Sequence, residues 1–337
     1  MIHIAVDAMG GDYAPRHAVD GALAAVRHFD FGVTMVGPAA TIEAELARHP
    51  DVDRARVRLA DAPDVVAMEE SPARALRRKP GASIKVAAQL VARGDAAALF
   101  SAGHTGATVM AAHGAFGMLA GVDRPALAAT IPTRGRAAVL LDVGASVECR
   151  PAHLVQFAVM GSMYARLAFG IETPRLALLS IGEEEIKGNE LTREAHRLLK
   201  ALATSSFAFI GNIEARDVYS GDADVIVCDG FTGNVALKIS EGVVEMVETL
   251  LKDELSSTIT MRVGSLLTRR ALRRLRRRVD YSEYGGAPLL GVAGAAIVGH
   301  GRSRVKAVRN GVAMAYRLAA SDFIARVGQE IAAAATP

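Results

Sequence analysis

The sequence predicts an α/β fold of three layers, in which a mainly parallel sheet lies between two layers of helices. Short apolar runs that end in small or acidic residues and glycine recur along the chain, as is typical of buried parallel strands. Helical patterns separate several of these runs. The 337 residues, 51% of them hydrophobic, are enough to bury a large core. We therefore expect one α/β domain over residues 1–337, with a helical insertion at 241–279.

The predicted strands share one ending, a loop rich in glycine. The first strand, at residues 1–6, ends in the loop DAMGGD and precedes a predicted helix near 15–28. The later strand ends are VTMVG at 33–37, ALFSAGHTGA at 98–107, VLLDVGAS at 139–146, LALLSIGEE at 176–184 and VIVCDGFTGN at 225–234. A further apolar run ends at His300.

Helix signals fall between these strands. A Ser-Pro pair at 71–72 and a Pro-Gly pair at 80–81 predict two consecutive helices with a break between them. Asn189 is expected to cap a helix that follows the acidic loop after 182. The chain is predicted to finish in a single helix near 303–328.

The stretch 224–242 is the first candidate for an anion site. A short β-branched strand stops at Asp229, and Asn234 is expected to cap the next helix, with Lys238 one turn further on the same face. Helix starts present free backbone N–H groups that bind anions. An ordinary strand-to-helix turn with a solvated lysine explains the same residues, so this stretch alone leaves both interpretations open.

The loops at the carboxyl ends of parallel strands converge on one crevice. The residues placed within range of each other in this way are Asp7, Ser101, Asp142, Ser180 and Asp229. The Lys-Gly-Asn sequence at 187–189 is a second candidate phosphate cradle at a helix start. Glycine loops, helix starts and lysines together suit an anionic substrate.

Composition and missing motifs exclude other classes of protein. The net charge of +3 is small for this length, so no general nucleic-acid coat is expected. The start of the chain lacks a basic leader, which indicates a cytoplasmic protein. Residues 96–122 carry no Asp, Glu, Lys or Arg, but five glycines and two histidines interrupt them, so we expect no membrane span. Cys149 and Cys228 are too few for a disulfide scaffold or a thiolate zinc site.

Enzyme motifs for nucleotide hydrolysis and zinc proteolysis are also absent. The chain contains no G-x-x-x-x-G-K-[ST], H-E-x-x-H or G-x-S-x-G sequence. The nearest approach to G-x-G-x-x-G, at residues 299–304, ends in Arg304. The crevice must therefore carry another chemistry.

Segments along nearly the whole chain match one known family in order. They are DAMGGD at 7–12, SAGHTGA at 101–107, IPT at 131–133, LLDVGA at 140–145, GEEEIKGNELT at 182–192, GNIE at 211–214, DVIVCDGFTGNVALK at 224–238 and GGAPLLG at 285–291. The chain thus resembles the phosphate acyltransferases of bacterial phospholipid synthesis. The resemblance implies the fold of isocitrate and isopropylmalate dehydrogenases and of phosphotransacetylases. Family members usually carry Asn at the positions of His104 and Ser146 and Gly at that of Ala215, so this chain departs from the family pattern there.

The resemblance implies that acyl-[acyl carrier protein] and phosphate give acyl phosphate and free carrier protein. Such a reaction needs cationic and N–H donors that hold phosphate and the developing oxyanion. The candidate catalytic residues are Lys187, Asn189, Asp229, Asn234, Lys238 and His300. The candidate substrate-binding residues are Asp7, Gly10, Gly11, Ser101, His104, Thr105, Gly106, Asp142 and Gly233. A purely structural role is the alternative for both histidines, and no metal or cofactor is expected.

The insertion at 241–279 is expected to bind the partners of the protein. Its apolar stripes are too extensive for a lone hairpin to cover, which predicts a homodimer, as the resemblance also implies. Seven of the ten residues 269–278 are Arg. We expect the carrier protein to dock there, on Arg273, Arg274, Arg276 and Arg277. Peripheral contact with the anionic inner face of the cell membrane, and with the downstream membrane acyltransferase, is the next expectation. A solvated helix end is the alternative.

Two rival functions come from other classes. A NAD-dependent β-decarboxylating dehydrogenase would share the fold, but it needs clustered carboxylates for a metal and a nicotinamide site, and the sequence offers neither. A non-catalytic membrane or nucleic-acid adaptor would explain the arginine run, yet it leaves the glycine loops unexplained.

Overall fold

The computed structural model describes residues 1–202, 205–321 and 323–334, and it has the predicted α/β architecture. The strands are β1 (His3–Asp7), β2 (Gly32–Gly37), β3 (Val57–Asp61), β4 (Ala98–Ser101), β5 (Ala126–Leu127), β6 (Ala129–Ile131), β7 (Ala138–Leu141), β8 (Arg175–Ser180), β9 (Ala208–Glu214), β10 (Val225–Val227), β11 (Ala287–Leu290) and β12 (Ala295–Val298). The helices are α1 (Arg16–His28), α2 (Ala39–Leu46), α3 (Pro72–Arg78), α4 (Ser83–Ala92), α5 (Thr105–Phe116), α6 (Pro151–Phe169), α7 (Glu190–Ala201), α8 (Gly230–Ser257), α9 (Ile259–Val279), α10 (Val305–Ala320) and α11 (Phe323–Ala334).

The strands form two mainly parallel sheets. Seven strands lie in the order β3-β2-β1-β4-β12-β11-β5, and five lie in the order β6-β7-β10-β8-β9. Pairing is antiparallel only where β11 meets β12 and β5, and where β6 meets β7, among the described strands. A single residue, Ala128, separates β5 from β6, so the chain passes directly from the edge of one sheet to the edge of the other.

Helices cover both faces of the seven-stranded sheet. All five residues of β1 are buried, as expected for a parallel strand in the middle of three layers. Because side chains alternate along a strand, Ile4 and Val6 belong to one apolar core, whereas Ala5 belongs to the other. Helices α1 and α10 pack against each other on one side, and α4 and α5 on the opposite side.

Several expectations about single elements are wrong. Helix α8 begins at Gly230, and its N-cap is Asp229, whose carboxylate accepts the N–H of Thr232. Asn234 therefore lies inside the first turns of α8 and caps nothing. The expected final helix is two helices, α10 and α11. The apolar run expected before His300 is strand β12, and the strand that precedes it, β11, was not expected.

The other helix starts are confirmed. Helix α1 covers the predicted 15–28 closely, and α3 and α4 are the Pro-interrupted pair. Asn189 is the N-cap of α7, and its side chain accepts the N–H of Thr192 at 2.9 Å.

Helices α8 and α9 form a long antiparallel hairpin that turns at Thr258. Large apolar side chains of both helices are exposed, among them Val247 at 52% and Leu266 at 67%. A cleft of about 1240 Å³ lies between the two helices. In the described chain, no helix is both long and apolar enough to span a bilayer.

Candidate active site

Two neighbouring strands of the larger sheet, β1 and β4, end in one polar cluster. The hydroxyl of Ser101, at the end of β4, donates to Oδ2 of Asp7, at the end of β1, at 2.7 Å. Both side chains are buried, at 0% and 3% exposure. Burial raises the pKa of Asp7, while hydrogen bonds from Ser83 and Ser101 oppose that rise. Ser83 is the first residue of α4, so the carboxyl group connects two strand ends to a helix start.

Glycine is required where these loops meet. A Cβ on Gly10 would lie 2.7 Å from the backbone nitrogen of Gly103 and 2.9 Å from Oδ2 of Asp7, closer than atoms can pack. Gly11 has φ of +105°, which glycine adopts readily. The next residue, Asp12, donates its N–H to the carbonyl of Gly301 at 2.8 Å. The loops after β1, β4 and β12 thus form one surface.

His104 caps α5 through its ring. Its Nδ1 accepts the N–H of Gly106 at 3.1 Å, so in the neutral ring the proton is on Nε2. Thr105 and Gly106 form the first turn of α5. Asn is a common N-cap and would fill this role with its amide oxygen, whereas the histidine also has a second ring nitrogen that can donate.

The second cluster lies at the end of β7 in the smaller sheet. The carboxylate of Asp142 is fully buried and accepts the backbone N–H groups of Leu127, Gly144, Ala145 and Ser146. Burial raises the pKa of Asp142 to about 6, although these four hydrogen bonds oppose the rise. Asp142 therefore fixes the loop that follows β7.

The start of α8 packs directly on that loop. A Cβ on Gly233 would lie 1.9 Å from the carbonyl oxygen of Asp142, so only glycine fits. One residue on, the amide nitrogen of Asn234 donates to the carbonyl of Val143 at 2.9 Å. Asn234 thus connects α8 to the β7 loop.

Lys238, Glu241 and His300 join the two sets of strand ends. Lys238 and Glu241 lie on α8, whereas His300 follows β12 of the other sheet. Nε2 of His300 lies 3.5 Å from Nζ of Lys238 and 3.5 Å from Oε2 of Glu241, and Lys238 and Glu241 are 3.3 Å apart. Burial acts to raise the pKa of Glu241, but the hydrogen bond from His300 and the charge of Lys238 lower it overall.

The ring nitrogens of His300 form the same kind of hydrogen bond as those of His104. Its Nδ1 accepts the N–H of Arg302 at 3.1 Å, so the neutral ring presents Nε2–H toward Glu241. Glu241 was not among the candidate site residues. Its contact with His300 depends on the packing of two distant segments, and the only signal in the sequence is its place one turn after Lys238.

The Lys-Gly-Asn segment lies at the end of β8. A Cβ on Gly188 would lie 2.8 Å from the hydroxyl oxygen of Ser180, the last residue of that strand. The buried hydroxyl of Ser180 has no hydrogen-bond partner among the described residues. Lys187 is exposed, and its ammonium group has no ion-pair partner in the part of the chain that the structure describes. This segment can present a cation, a hydroxyl and the start of α7 to an anion.

The structure brings the predicted residues together in three groups. Asp7, Gly10, Gly11 and Ser101 form the first, Asp142, Asp229, Gly233 and Asn234 the second, and Lys187 and Asn189 the third. Lys238 and His300 connect the first two groups. Asp142 and Asp229 accept backbone N–H groups, and neither carboxylate pairs with a lysine among the described residues. Among the described residues, no group of three or more His, Cys, Asp or Glu side chains could hold a metal ion.

Comparison with known proteins identifies the family. Residues 2–326 match the family model described as fatty acid synthesis protein. A phosphate acyltransferase of Geobacter sulfurreducens is 47% identical over 94% of this chain and 90% of its own length. That of Nitratidesulfovibrio vulgaris strain DP4 is 49% identical over 98% of this chain and 95% of its own length.

A solved structure supports the fold. A phosphotransacetylase from Streptococcus pyogenes superposes with a TM-score of 0.64, at 15% identity, over 95% of this chain and 94% of its own. At that identity, the likeness concerns the fold alone, and it confirms that the chain has the expected fold of phosphotransacetylases. The chain therefore belongs to the fatty acid synthesis protein family, among its phosphate acyltransferase enzymes.

Proposed function

We propose that this enzyme transfers a fatty acyl group from the thioester of acyl carrier protein to inorganic phosphate. The observation that carries the proposal is the meeting of Lys238 and His300 between two sets of glycine-lined strand ends. A cation and an N–H donor there, with helix starts on either side, suit a phosphate and the oxyanion of a thioester in attack. The acyltransferase family supplies the reaction class.

In the proposed reaction, a phosphate oxygen attacks the thioester carbonyl carbon. The oxyanion forms, then collapses as the C–S bond breaks, and the thiolate of the carrier leaves with the electron pair. The products are acyl phosphate and free carrier protein. Lys187, Asn189 and Lys238 hold phosphate and the oxyanion. When substrate binds, the Nε2–H of His300 turns from Glu241 to the oxyanion and donates a hydrogen bond to it. Because a thiol has a pKa of about 8.5, the leaving group needs no strong acid.

The substrate residues act around these donors. Asp7 and Ser101 fix the glycine loop at Gly10 and Gly11, while Asp142, Asp229, Gly233 and Asn234 fix the start of α8 beside Lys238. His104, Thr105 and Gly106 line the crevice with the start of α5. The machinery consists of protein groups alone, with no metal or cofactor.

The hairpin of α8 and α9 is the surface to which we assign the partners of the enzyme. We propose that a second copy of the chain covers its apolar faces, so that the enzyme is a homodimer of single α/β domains. The carrier docks on Arg273, Arg274, Arg276 and Arg277, all of which are exposed. In the cytoplasm, the same cationic face holds the enzyme against the inner face of the membrane, near the downstream membrane acyltransferase.

The test is to incubate the pure protein with acyl carrier protein thioester and phosphate, and to trap acyl phosphate as a hydroxamate. Hydroxamate should form only when phosphate is present, without nicotinamide and equally with a metal chelator. Product that is independent of phosphate would reject the proposed acceptor. Complete loss of product with the chelator would reject the metal-free mechanism.

A further inference from the structure

The segment 71–94 is a basic surface that the proposed reaction does not use. It contains Arg74, Arg77, Arg78, Lys79, Lys85 and Arg93 and no Asp or Glu. Nζ of Lys79 forms an ion pair with Oε2 of Glu70 at 2.6 Å. The other five cations have no ion-pair partner among the described residues. The segment is thus a local concentration of positive charge in a chain whose net charge is only +3.

Three of these cations surround an apolar groove. A cleft of about 470 Å³ lies between α3, α4 and α5. Its floor is apolar, with Leu76, Met110, Ala111, Gly114 and Ala115. Its polar residues are Arg77, Lys85, Gln89 and Arg93, and none of the described residues that line it is a carboxylate. Met110, in the floor, is 43% exposed.

The groove begins at the crevice. Ser83, at the start of α4, hydrogen bonds to Asp7, and a Cβ on Gly106, at the start of α5, would lie 3.1 Å from Cγ of Pro72. At about 1.5 Å per residue, Gly114 lies roughly 12 Å further along α5 than Gly106. A molecule in the groove therefore lies within a few turns of the polar cluster.

We propose that the groove of α3, α4 and α5 docks an amphipathic, carboxylate-bearing helix of the acyl carrier protein. The inference rests on the proposed function, which makes an acidic protein the acyl donor. An apolar floor takes the apolar stripe of a helix, and a cationic rim pairs with its carboxylates. A nucleic-acid backbone would use the cations but would leave the floor uncovered. Docking here brings the thioester to the crevice side of the protein, and the groove contacts the carrier in addition to the arginine run on α9.

Gly114 allows the groove to be filled without a change of charge. A Cβ added there meets no atom within 4 Å, so a larger side chain projects into the groove. Gly114→Phe fills it, and Gly114→Ala, which adds one methyl group, is the matched control. The charge test is the double variant Arg77→Glu/Arg93→Glu. Its control, Arg58→Glu/Arg326→Glu, changes net charge equally at exposed arginines of β3 and α11.

The experiment measures the dissociation constant of each full-length variant for purified acyl carrier protein, at low and at physiological ionic strength. We expect Arg77→Glu/Arg93→Glu and Gly114→Phe each to weaken binding by about tenfold or more, with both controls close to wild type. The charge effect should shrink with salt, whereas the Gly114→Phe effect should remain. Wild-type affinity in both groove variants overturns the proposal.

The experiment distinguishes an error in the groove proposal from an error in the proposed function. If the wild type forms hydroxamate and binds the carrier, but the groove variants bind it equally well, only the groove proposal is wrong. If the wild type does not bind the carrier, both are wrong. Should the charge variant lose affinity for duplex DNA and keep its affinity for the carrier, the surface is a general polyanion site and the proposal is likewise overturned.

Discussion

Nζ of Lys238 lies 3.5 Å from Nε2 of His300. Lys238 is on the helix after a strand of the five-stranded sheet, whereas His300 follows a strand of the seven-stranded sheet. Glu241 lies against both groups and offsets the positive charge. The contact closes the space between the strand ends of the two sheets. A lysine held there is available to an anion on its remaining side, since it is still 56% exposed.

Removal of either lysine should slow the reaction. Lys187→Ala and Lys238→Ala each remove a charge-assisted donor, so we expect kcat to fall by about 10²-fold or more while the unfolding transition stays near that of the wild type. Steady-state hydroxamate assays measure the rate, and circular dichroism checks the fold. Lys200→Ala is the matched control, because Lys200 is an exposed lysine of α7 whose partner is Glu185. Near-normal rates in both variants would place the phosphate elsewhere.

The carboxylate of Glu241 should give the protein a pH-dependent stability. Its pKa in the folded protein is lower than the ordinary value of 4.5, despite burial, because His300 and Lys238 favour the charged form. The contribution to stability is therefore present above pH 4.5 and is lost as the pH falls through the folded pKa. Urea unfolding should show Glu241→Gln less stable than wild type at neutral pH, with the difference lost as the pH falls through the folded pKa of Glu241. A difference that does not change with pH would mean that the charge of Glu241 does not stabilise the folded protein.

The carboxyl group of Asp142 should give the free energy of unfolding a pH dependence opposite in sign to that from Glu241. Its pKa is raised from 3.8 to about 6 in the folded protein, so its contribution to stability is full below pH 3.8 and declines as the pH rises to about 6. A neutral amide cannot show this decline. The stability of the wild type relative to Asp142→Asn should therefore decrease by up to about 3 kcal/mol between these pH values. A relative stability that increases would show that the four backbone N–H groups outweigh burial.

The fold was predictable because its signal is local. Each parallel strand that ends at the crevice carries a continuous apolar run and a glycine loop, and α1, α3, α4 and α7 carry start signals in the sequence. The strands that sequence reasoning missed lack that signal. β5 and β6 have two and three residues, and β3 and β9 are only partly buried. Division of the strands between two sheets depends on pairing between distant segments, which no local pattern encodes.

The candidate site was predictable in its residues and less so in their contacts. Strand ends must converge in a parallel sheet, so Asp7 and Ser101 were expected to approach each other, and they do. The capping of α8 by Asp229 depends on where the helix starts, and Asp and Asn are comparable as caps. Glu241 and Ser83 could not be assigned, because their partners come from segments far away in the chain.

The hairpin of α8 and α9 should hold the dimer. Val247 and Leu266 are exposed in one chain, and burial of a large apolar side chain is worth about 1.5–3 kcal/mol. Val247→Asp/Leu266→Asp should therefore convert a dimer into a monomer in sedimentation velocity. Leu167→Asp, on the separate helix α6, is a control of similar polarity at a residue that is 40% exposed. A wild type that sediments as a monomer would reject the dimer, and a dimer in the double variant would reject this interface.

The arginine run of α9 should determine affinity for the carrier rather than for phosphate. Arg273, Arg274 and Arg277 have no ion-pair partner among the described residues, whereas Arg276 lies 3.2 Å from Glu248. Replacement of these four residues by Glu should raise KM for the carrier thioester by about tenfold or more and change KM for phosphate far less, since we propose that phosphate binds at the crevice. The same four positions changed to Lys keep the charge and should remain near wild type. The increase in KM should be largest at low ionic strength. If carrier kinetics and binding to anionic liposomes are both unchanged in the Glu variant, the run serves only to keep this face of α9 solvated.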